Sequence, residues 1–458
     1  MSALPPGWAW AKLREIAEIV GGITKDAKKQ SIADEEVPYL RVANVQRGYL
    51  DLREVKTIRV AASRLPELLL KPGDVLFNEG GDLDKLGRGW VWEGQIAKCT
   101  FQNHVFRARL HGGLNQPKII SWWGNLSGPN FFLRAGKQTT NLASISKAML
   151  CDFPVLLPPV AEQERLVSKL DALLGRIDVC RERLDLVPGI LKRFRQSVLA
   201  AATSGRLTED WRAARGQASD WQELRLAEIA TIQGGVTKDA KKQSAADEEV
   251  PYLRVANVQR GYLDLSEIKT IRIPSNRLEE LLLEPGDILF NEGGDIDKLG
   301  RGWIWEGQIE RCSFQNHVFR ARLRNKANQP KYISWWGNFR GLEFFLRAGK
   351  QTTNLASINK STLSELPISL PPPAEQEEIV RRVEQLFAYA DRLEARVAAA
   401  RAQVERLSPA LLAKAFRGEL VPQDPNDESA EVLLEHLRAQ NAEAPKRRGR
   451  AAQRAASP

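Results

Sequence analysis

One period governs this sequence: residues 8 to 157 recur at 221 to 370, at a constant offset of 213 and without a gap. Gly21–Ser31 returns as Gly234–Ser244 with Ile23 replaced by Val236, and Val37–Leu52 returns unchanged as Val250–Leu265. Phe131–Ile145 likewise returns unchanged as Phe344–Ile358. Solenoid repeats run at roughly 20–50 residues, so a period this long is a domain duplication.

After each copy comes a long helical pattern. Pro158-Pro159-Val160-Ala161-Glu162-Gln163-Glu164 opens the first, and Pro371-Pro372-Pro373-Ala374-Glu375-Gln376-Glu377 opens the second. Prolines and first-turn carboxylates mark a helix N-terminus, because the first turn has no use for a proline's missing donor and its dipole end is positive. Gly205 and Gly418, themselves 418 − 205 = 213 apart, supply the stops. Between them Leu166, Leu170, Leu173, Ile177, Cys180, Leu184, Val187, Leu191, Phe194 and Val198 step by four and three. Adding the offset gives Ile379, Val383, Leu386, Ala390, Leu393, Val397, Ala400, Val404, Leu407 and Leu411, all apolar again. Two heptad seams in register call for each other as partners. Pro188-Gly189 interrupts the first seam and predicts a kink or local break.

The expected class is α+β: two duplicated mixed α/β globules separated by two long antiparallel helices that form an intramolecular coiled coil. The divisions fall at 1–157, 158–212, 213–370, 371–421 and 422–458. The last holds a short helix over Pro425–Ala444 and a basic, disordered end. Within a globule, Val37–Val45, Asp74–Phe77, Trp90–Glu93 and His104–Leu110 read as strands, and Pro117–Trp123 and Leu126–Leu133 as helices. The globules match even in their polar loops, whereas the helices keep little beyond their seams. Recent copying and a shared task both explain this, and both give the two globules the same surface chemistry.

With 458 residues the chain exceeds a single core. Hydrophobic content of 43% and charged content of 27% describe a soluble protein. No run of eighteen apolar residues and no secretory signal is found, and four cysteines without metal spacing suit a reducing cytoplasm. A net charge of +10 and a pI near 9.4 favour a polyanionic partner.

The loop Asn78–Gly89 is rich in glycine and charge, so its backbone can approach another molecule closely. Its candidate contacts are Gly80, Gly81, Asp82, Lys85 and Arg88, repeated as Gly293, Gly294, Asp295, Lys298 and Arg301. Lys and Arg donors suit phosphates and guanine edges; the bland alternative is a turn with solvated charges. Gln102, Asn103 and His104, repeated as Gln315, Asn316 and His317, precede a strand carrying Arg107 and Arg109. Amides can pair with adenine and guanidinium groups with guanine; the alternative is loop closure. Lys137, Gln138 and Asn141, with Lys350, Gln351 and Asn354, form a polar run that could hold phosphates or cap backbone, and Lys25 and Lys238 stand in the basic stretch after the glycine pair. Trp122-Trp123 either stacks on bases or packs in the core. No Walker motif, Asn-Pro-Pro-Tyr-type methyltransferase signature or Gly-x-Ser-x-Gly is present, and Cys99 with His104 lacks a second ligand pair for zinc. The chain reads as a binder rather than a catalyst.

The Pro-Pro-x-Ala-Glu-Gln hinge before each long helix, with Gln351–Ile358 and Ala413–Leu420, resembles the specificity subunit of type I restriction–modification systems up to about residue 425. The resemblance implies two target-recognition domains, each reading half of a bipartite double-stranded DNA site, with the helices as ruler and as dock for two modification subunits. It places no cofactor or active site on this chain. S-adenosylmethionine belongs to the methyltransferase partner, and ATP and magnesium to a restriction subunit. About 40 helical residues at about 1.5 Å each make a rod of roughly 60 Å, enough to set domains a helical turn or more apart on a duplex. Members of that family commonly carry two dissimilar globules; here they nearly match, so an interrupted palindrome is expected. A protein-binding scaffold and a cryptic nuclease or methyltransferase are the competing readings.

Overall fold

The computed structural model describes residues 4–24, 31–82, 85–112, 116–135, 137–138, 142–218, 220–237, 244, 246–295, 299–348, 350–351 and 355–443. Packing divides the chain into two units, one holding residues up to Arg183 and from Ala400 onward, the other Leu184–Ala399. Each unit holds one copy of the duplicated globule with part of both long helices. Among the described residues no helix is long and apolar enough to cross a membrane.

In the first globule β1 (Ala9–Lys12), β2 (Ala17–Gly21), β3 (Glu35–Leu40) and β4 (Lys56–Val60) come first. Then follow β5 (Val75–Asn78), β6 (Gly80–Asp82), β7 (Gly89–Val91), β8 (Thr100–Phe101) and β9 (Val105–Leu110). Finally come β10 (Lys137–Gln138), β11 (Leu142–Ser144) and β12 (Pro154–Leu157). The central sheet has the order β2-β9-β5-β7, a second runs β4-β3-β8, a third β10-β11-β6, and β1 pairs with β12. Alternation along β5 explains the layering. Val75 and Phe77 pack with Ile119, Ile120 and Trp122 of the helix Pro117–Ala135, while Leu76 joins Leu40, Val45, Trp92 and Phe101 on the opposite face. The second globule repeats these sheets, for example with Ala230–Gly234, Val318–Leu323, Ile288–Asn291 and Gly302–Ile304 in one order.

Two local expectations need correction. The strand expected over Val37–Val45 ends at Leu40, because buried Asn44 captures a turn. Its Oδ1 accepts from the Arg41 amide at 2.9 Å and its Nδ2 donates to the carbonyls of Asp51 and Glu54 at 2.8 and 2.9 Å. The two helices expected over 117–133 are one helix in the first copy, Pro117–Ala135, with Pro129 inside it. Proline cannot donate to the carbonyl four residues back, and here Arg47 Nη1 supplies that bond, reaching Asn125 O at 2.6 Å. In the second copy the helix does divide, into Pro330–Phe339 and Gly341–Ala348, and Arg260 Nη1 donates to Asn338 O at 2.5 Å.

The long helices are Val160–Ala202 and Pro373–Ala415, each of 43 residues. Gly205 and Gly418 follow them with φ of 76° and 72°, the left-handed stop that glycine adopts without strain. Leu166, Leu170 and Leu174 pack with Leu411, Leu412 and Ala415 in the first unit; Phe194 and Val198 pack with Ile379, Val383 and Leu386 in the second. Arg181 bonds Glu405 at 2.9 Å in the first unit, and Arg195 bonds Asp391 and Glu394 at 2.6 and 2.8 Å in the second. Seam positions Cys180 and Leu407 are nevertheless exposed, Leu407 at 46%. A straight helix drifts about 20° per heptad away from a strict seven-residue repeat, so only a supercoiled pair keeps such a seam facing its partner.

Of the kink or local break expected at Pro188, the break does not occur: the helix continues through it. Pro188 is exposed, so water can satisfy the carbonyl it leaves without a donor. Exchange of Pro188 for alanine restores that bond without touching packing and is expected to stabilise the helix by about 1–3 kcal/mol. A rise in Tm by calorimetry checks it; an unchanged or lower Tm contradicts it.

The segment after the second helix is part of the first unit as far as it is described. A helix over Ala430–Glu443 puts Ala430, Leu434 and Leu437 into the same core as Leu13 and Ile16. Arg165 bonds Asp427 at 2.5 Å and Arg438 bonds Glu15 at 3.1 Å. The basic end over 445–458, expected to be disordered, lies outside the described residues.

Candidate nucleic-acid interface

Five stretches far apart in sequence meet in the first globule. Gly22 starts the assembly: a Cβ there would sit 2.1 Å from the Phe101 carbonyl oxygen, so only glycine lets the two segments close. Ile23 can then bridge to Gln102, with the Asn103 amide donating to Ile23 O at 2.8 Å. Gln102 N donates to Leu40 O at 2.8 Å, and Glu79 N donates to His104 O at 2.9 Å. Ile145 N donates to Glu79 O at 2.8 Å, which ties in the third sheet. There Ser144 and Ala143 pair with Gly80 and Gly81 on one side and with Lys137 and Gln138 on the other, and Leu142 pairs with Asp82.

The candidates Gly80, Gly81, Asp82, Gln102, Asn103, His104, Lys137 and Gln138 therefore share one ridge. The second globule builds the same ridge from Gly293, Gly294, Asp295, Gln315, Asn316, His317, Lys350 and Gln351. Lys25, Asn141, Lys238, Lys298 and Asn354 lie outside the described residues.

Arg88 is turned elsewhere. It is half-buried, and its Nη1 donates to Gln46 Oε1 at 2.8 Å on the turn that also carries Arg47 and Tyr49. Lys85, on the same loop, is half-buried too. Arg301 lines a cleft of about 1150 Å³ within the second unit, beside Arg260, Tyr262, Trp303 and Lys192.

Arg107 and Arg109 are corrections to the sequence reading. Arg107 is 1% exposed, donates to Glu67 O at 2.8 Å and Glu18 at 3.1 Å, and its pKa is lowered from its ordinary value chiefly by burial. Arg109 makes a two-pronged pair with buried Asp74, both bonds 2.7 Å. Both arginines brace the sheet rather than offer donors outward. Strand alternation marked one face of β9 as inward, but burial of β9 on both faces sends the charges inward as well. Trp122 and Trp123 pack in the core, with Trp123 Nε1 donating to Pro154 O at 2.8 Å. Cys99 is buried, which pushes its thiol up to about 12, and among the described residues no cluster could hold a metal.

Sequence reasoning passed over two features of this surface. Glu79 and Glu292 contact the ridge histidines: His104 Nδ1 lies 2.7 Å from Glu79 Oε2, and His317 Nδ1 lies 2.5 Å from Glu292 Oε2. Tyr49 and Tyr262 are 57% and 58% exposed, beside Gly48 and Gly261 with φ of 86° and 89°. The Gly-Tyr step in an unchanged repeat was the signal available for the tyrosines.

A family model, the type I restriction modification DNA specificity domain, matches residues 218–400. The type I restriction enzyme EcoKI specificity subunit of Escherichia coli (strain K12) is 30% identical, with 96% of each chain covered. The StySPI specificity subunit of Salmonella potsdam gives the same 30% and 96% of each chain. In structure, the HsdS subunit from Thermoanaerobacter tengcongensis superposes with a TM-score of 0.57 at 18% identity, covering 91% of this chain and 98% of that one. A chain from work on complex assembly and conformational transition of the type I R-M system reaches 0.66 at 20% identity, covering 92% and 100%. The chain belongs to the specificity subunits of type I restriction enzymes.

Proposed function

We propose that this chain is the DNA-recognition subunit of a type I restriction–modification complex, and that its two globules read the same half-site on opposite strands. Such subunits are the non-catalytic members of their systems. The observation that carries the reading is the ridge: one constellation of amides, imidazole and glycine backbone, built twice from nearly the same residues. Amides and imidazole suit base edges, glycine backbone allows close approach, and the net charge of +10 favours the phosphates.

The two long helices form the antiparallel coiled coil that spaces residues 1–157 from 213–370, and so set the gap between half-sites. The ion pairs of Arg181 and Arg195 support that pairing. The helices also dock two modification subunits, for which exposed Leu186, Ile190 and Tyr389 in the second unit supply apolar surface. The methyl donor S-adenosylmethionine is bound by those partners, and ATP with magnesium by a restriction subunit where one joins; the complex works on cytoplasmic DNA.

The test is a salt titration of the purified complex on duplex DNA. Neutralising 6–10 phosphates costs about 10³–10⁵ in affinity between about 50 and 200 mM salt, and that steep fall is expected. A flat response would indicate a scaffold for protein partners.

A further inference from the structure

We propose that Glu79 and Glu292 are positioning residues for base recognition: each fixes the tautomer of a histidine, and through it the orientation of the amide that reads adenine. This rests on the DNA-recognition reading above.

The geometry is a short relay. Glu79 Oε2 lies 2.7 Å from His104 Nδ1, and His104 Nε2 lies 3.3 Å from Asn103 Nδ2. The second globule repeats it with Glu292, His317 and Asn316 at 2.5 and 3.5 Å. A carboxylate can only accept, so Nδ1 carries the proton. Nε2 is then an acceptor, and it takes one of the two amide protons of Asn103. What remains on Asn103 is Oδ1 and the other N–H, an acceptor and a donor side by side. Adenine shows the complementary pair, N6–H and N7, in the major groove.

The backbone leaves the relay little freedom. Asn103 N is tied to Ile23 O, His104 O to Glu79 N, and Glu79 O to Ile145 N. The elements packed beneath meet the imidazole's turn through Ile23, Leu40 and Ile145, which bear no charge. The strand's own Arg107 and Arg109 are engaged by Glu18 and Asp74. Glu79 is thus the charged group that the described residues place against His104, and Glu292 the one against His317.

Glutamine at 79 and 292 can accept from Nδ1–H or, with its amide turned over, donate to Nδ1, so it no longer fixes the tautomer. Leucine offers Nδ1 no partner.

The experiment measures binding of the full complex to duplexes with and without its methylation motif at pH 8. Their affinity ratio is the readout, since it cancels general phosphate attraction. Glu79→Leu, Glu292→Leu is expected to lose about a hundredfold of this ratio, two bidentate base contacts' worth, with an unchanged melting curve. Glu79→Gln, Glu292→Gln should lose less, because one orientation of the amide still accepts from Nδ1–H. In wild type, replacing the half-site adenine that is read by 2-aminopurine, which lacks the 6-amino group, should cost about tenfold, and nothing further in the leucine variant. A leucine variant that keeps the wild-type ratio, or that loses affinity on 2-aminopurine as wild type does, overturns the relay and leaves DNA recognition standing. No preference for any duplex overturns both.

Discussion

Exchanging Glu375 for glutamine is expected to destabilise the second unit by about 3 kcal/mol, whereas the same exchange at Glu162 costs the first unit at most about 1 kcal/mol. These residues occupy the same place in the repeat, and each accepts from a tryptophan Nε1, Glu162 from Trp8 at 2.8 Å and Glu375 from Trp221 at 3.0 Å. Their other oxygens differ. Glu375 Oε1 is bonded by Arg212 and by Thr208 Oγ1, the latter at 2.7 Å, with the carboxylate 3% exposed. Removing its charge leaves the half-buried Arg212 guanidinium without a counter-ion, the costly way to break a largely buried pair.

Glu162 Oε1 has no hydrogen-bond partner, and burial raises the carboxyl's pKa above its ordinary value of 4.5. The folded first unit therefore holds this proton more tightly than the unfolded chain does. The stability that protonation contributes is fully present below pH 4.5 and is lost as pH rises through the folded value. Glutamine cannot ionise, so wild type should gain on Glu162→Gln as the solution is acidified toward pH 4.5. Hydrogen exchange resolved by peptide reads each unit separately. Equal losses in both variants would contradict the assigned contacts.

The second large effect is on recognition. Asn103→Ala and Asn316→Ala are each expected to weaken binding to the full site by about 5–150-fold, the range of one base contact, and to do so equally. The double variant should show the product of the two losses, because separated contacts add in free energy. Equality is the informative part. Asn103 and Asn316 sit in the same backbone frame, set by Ile23 in one globule and Val236 in the other. If the half-sites are the same, swapping the variant between globules changes nothing; unequal losses on binding isotherms would show that the globules read different bases.

Much of the architecture was legible because it depends on periodicity. The offset of 213, the heptad seams and the glycine stops are local patterns, and the helices end where those stops predict. What escaped was decided by tertiary bonds. Asn44 ended a strand by capturing three backbone groups, and Arg47 met the carbonyl that Pro129 leaves without a donor inside the continuous helix of the first copy. At the candidate site the residue types were readable but their grouping was not. Nothing in the sequence says that Gly80 and Lys137 flank one strand, or that Arg88 turns to Gln46. Arg107 and Arg109 looked like base readers because an alternating pattern says which residues share a face and not whether that face is covered.

The differences between nearly identical copies are as useful as the likeness. Ala9 and Ala11, both 4% exposed, border the core that receives the Ala430–Glu443 helix; their counterparts are Gln222, exposed, and Leu224, half-buried. The first copy has small side chains where it makes room for a helix, and the second presents a longer, more polar edge.

Whether one chain reads the same half-site twice is decided by a genome-wide map of adenine methylation in cells carrying this chain with its modification partners. The expected result is a bipartite motif whose second half is the reverse complement of the first, across a fixed unspecified spacer. A clearly asymmetric motif would contradict it.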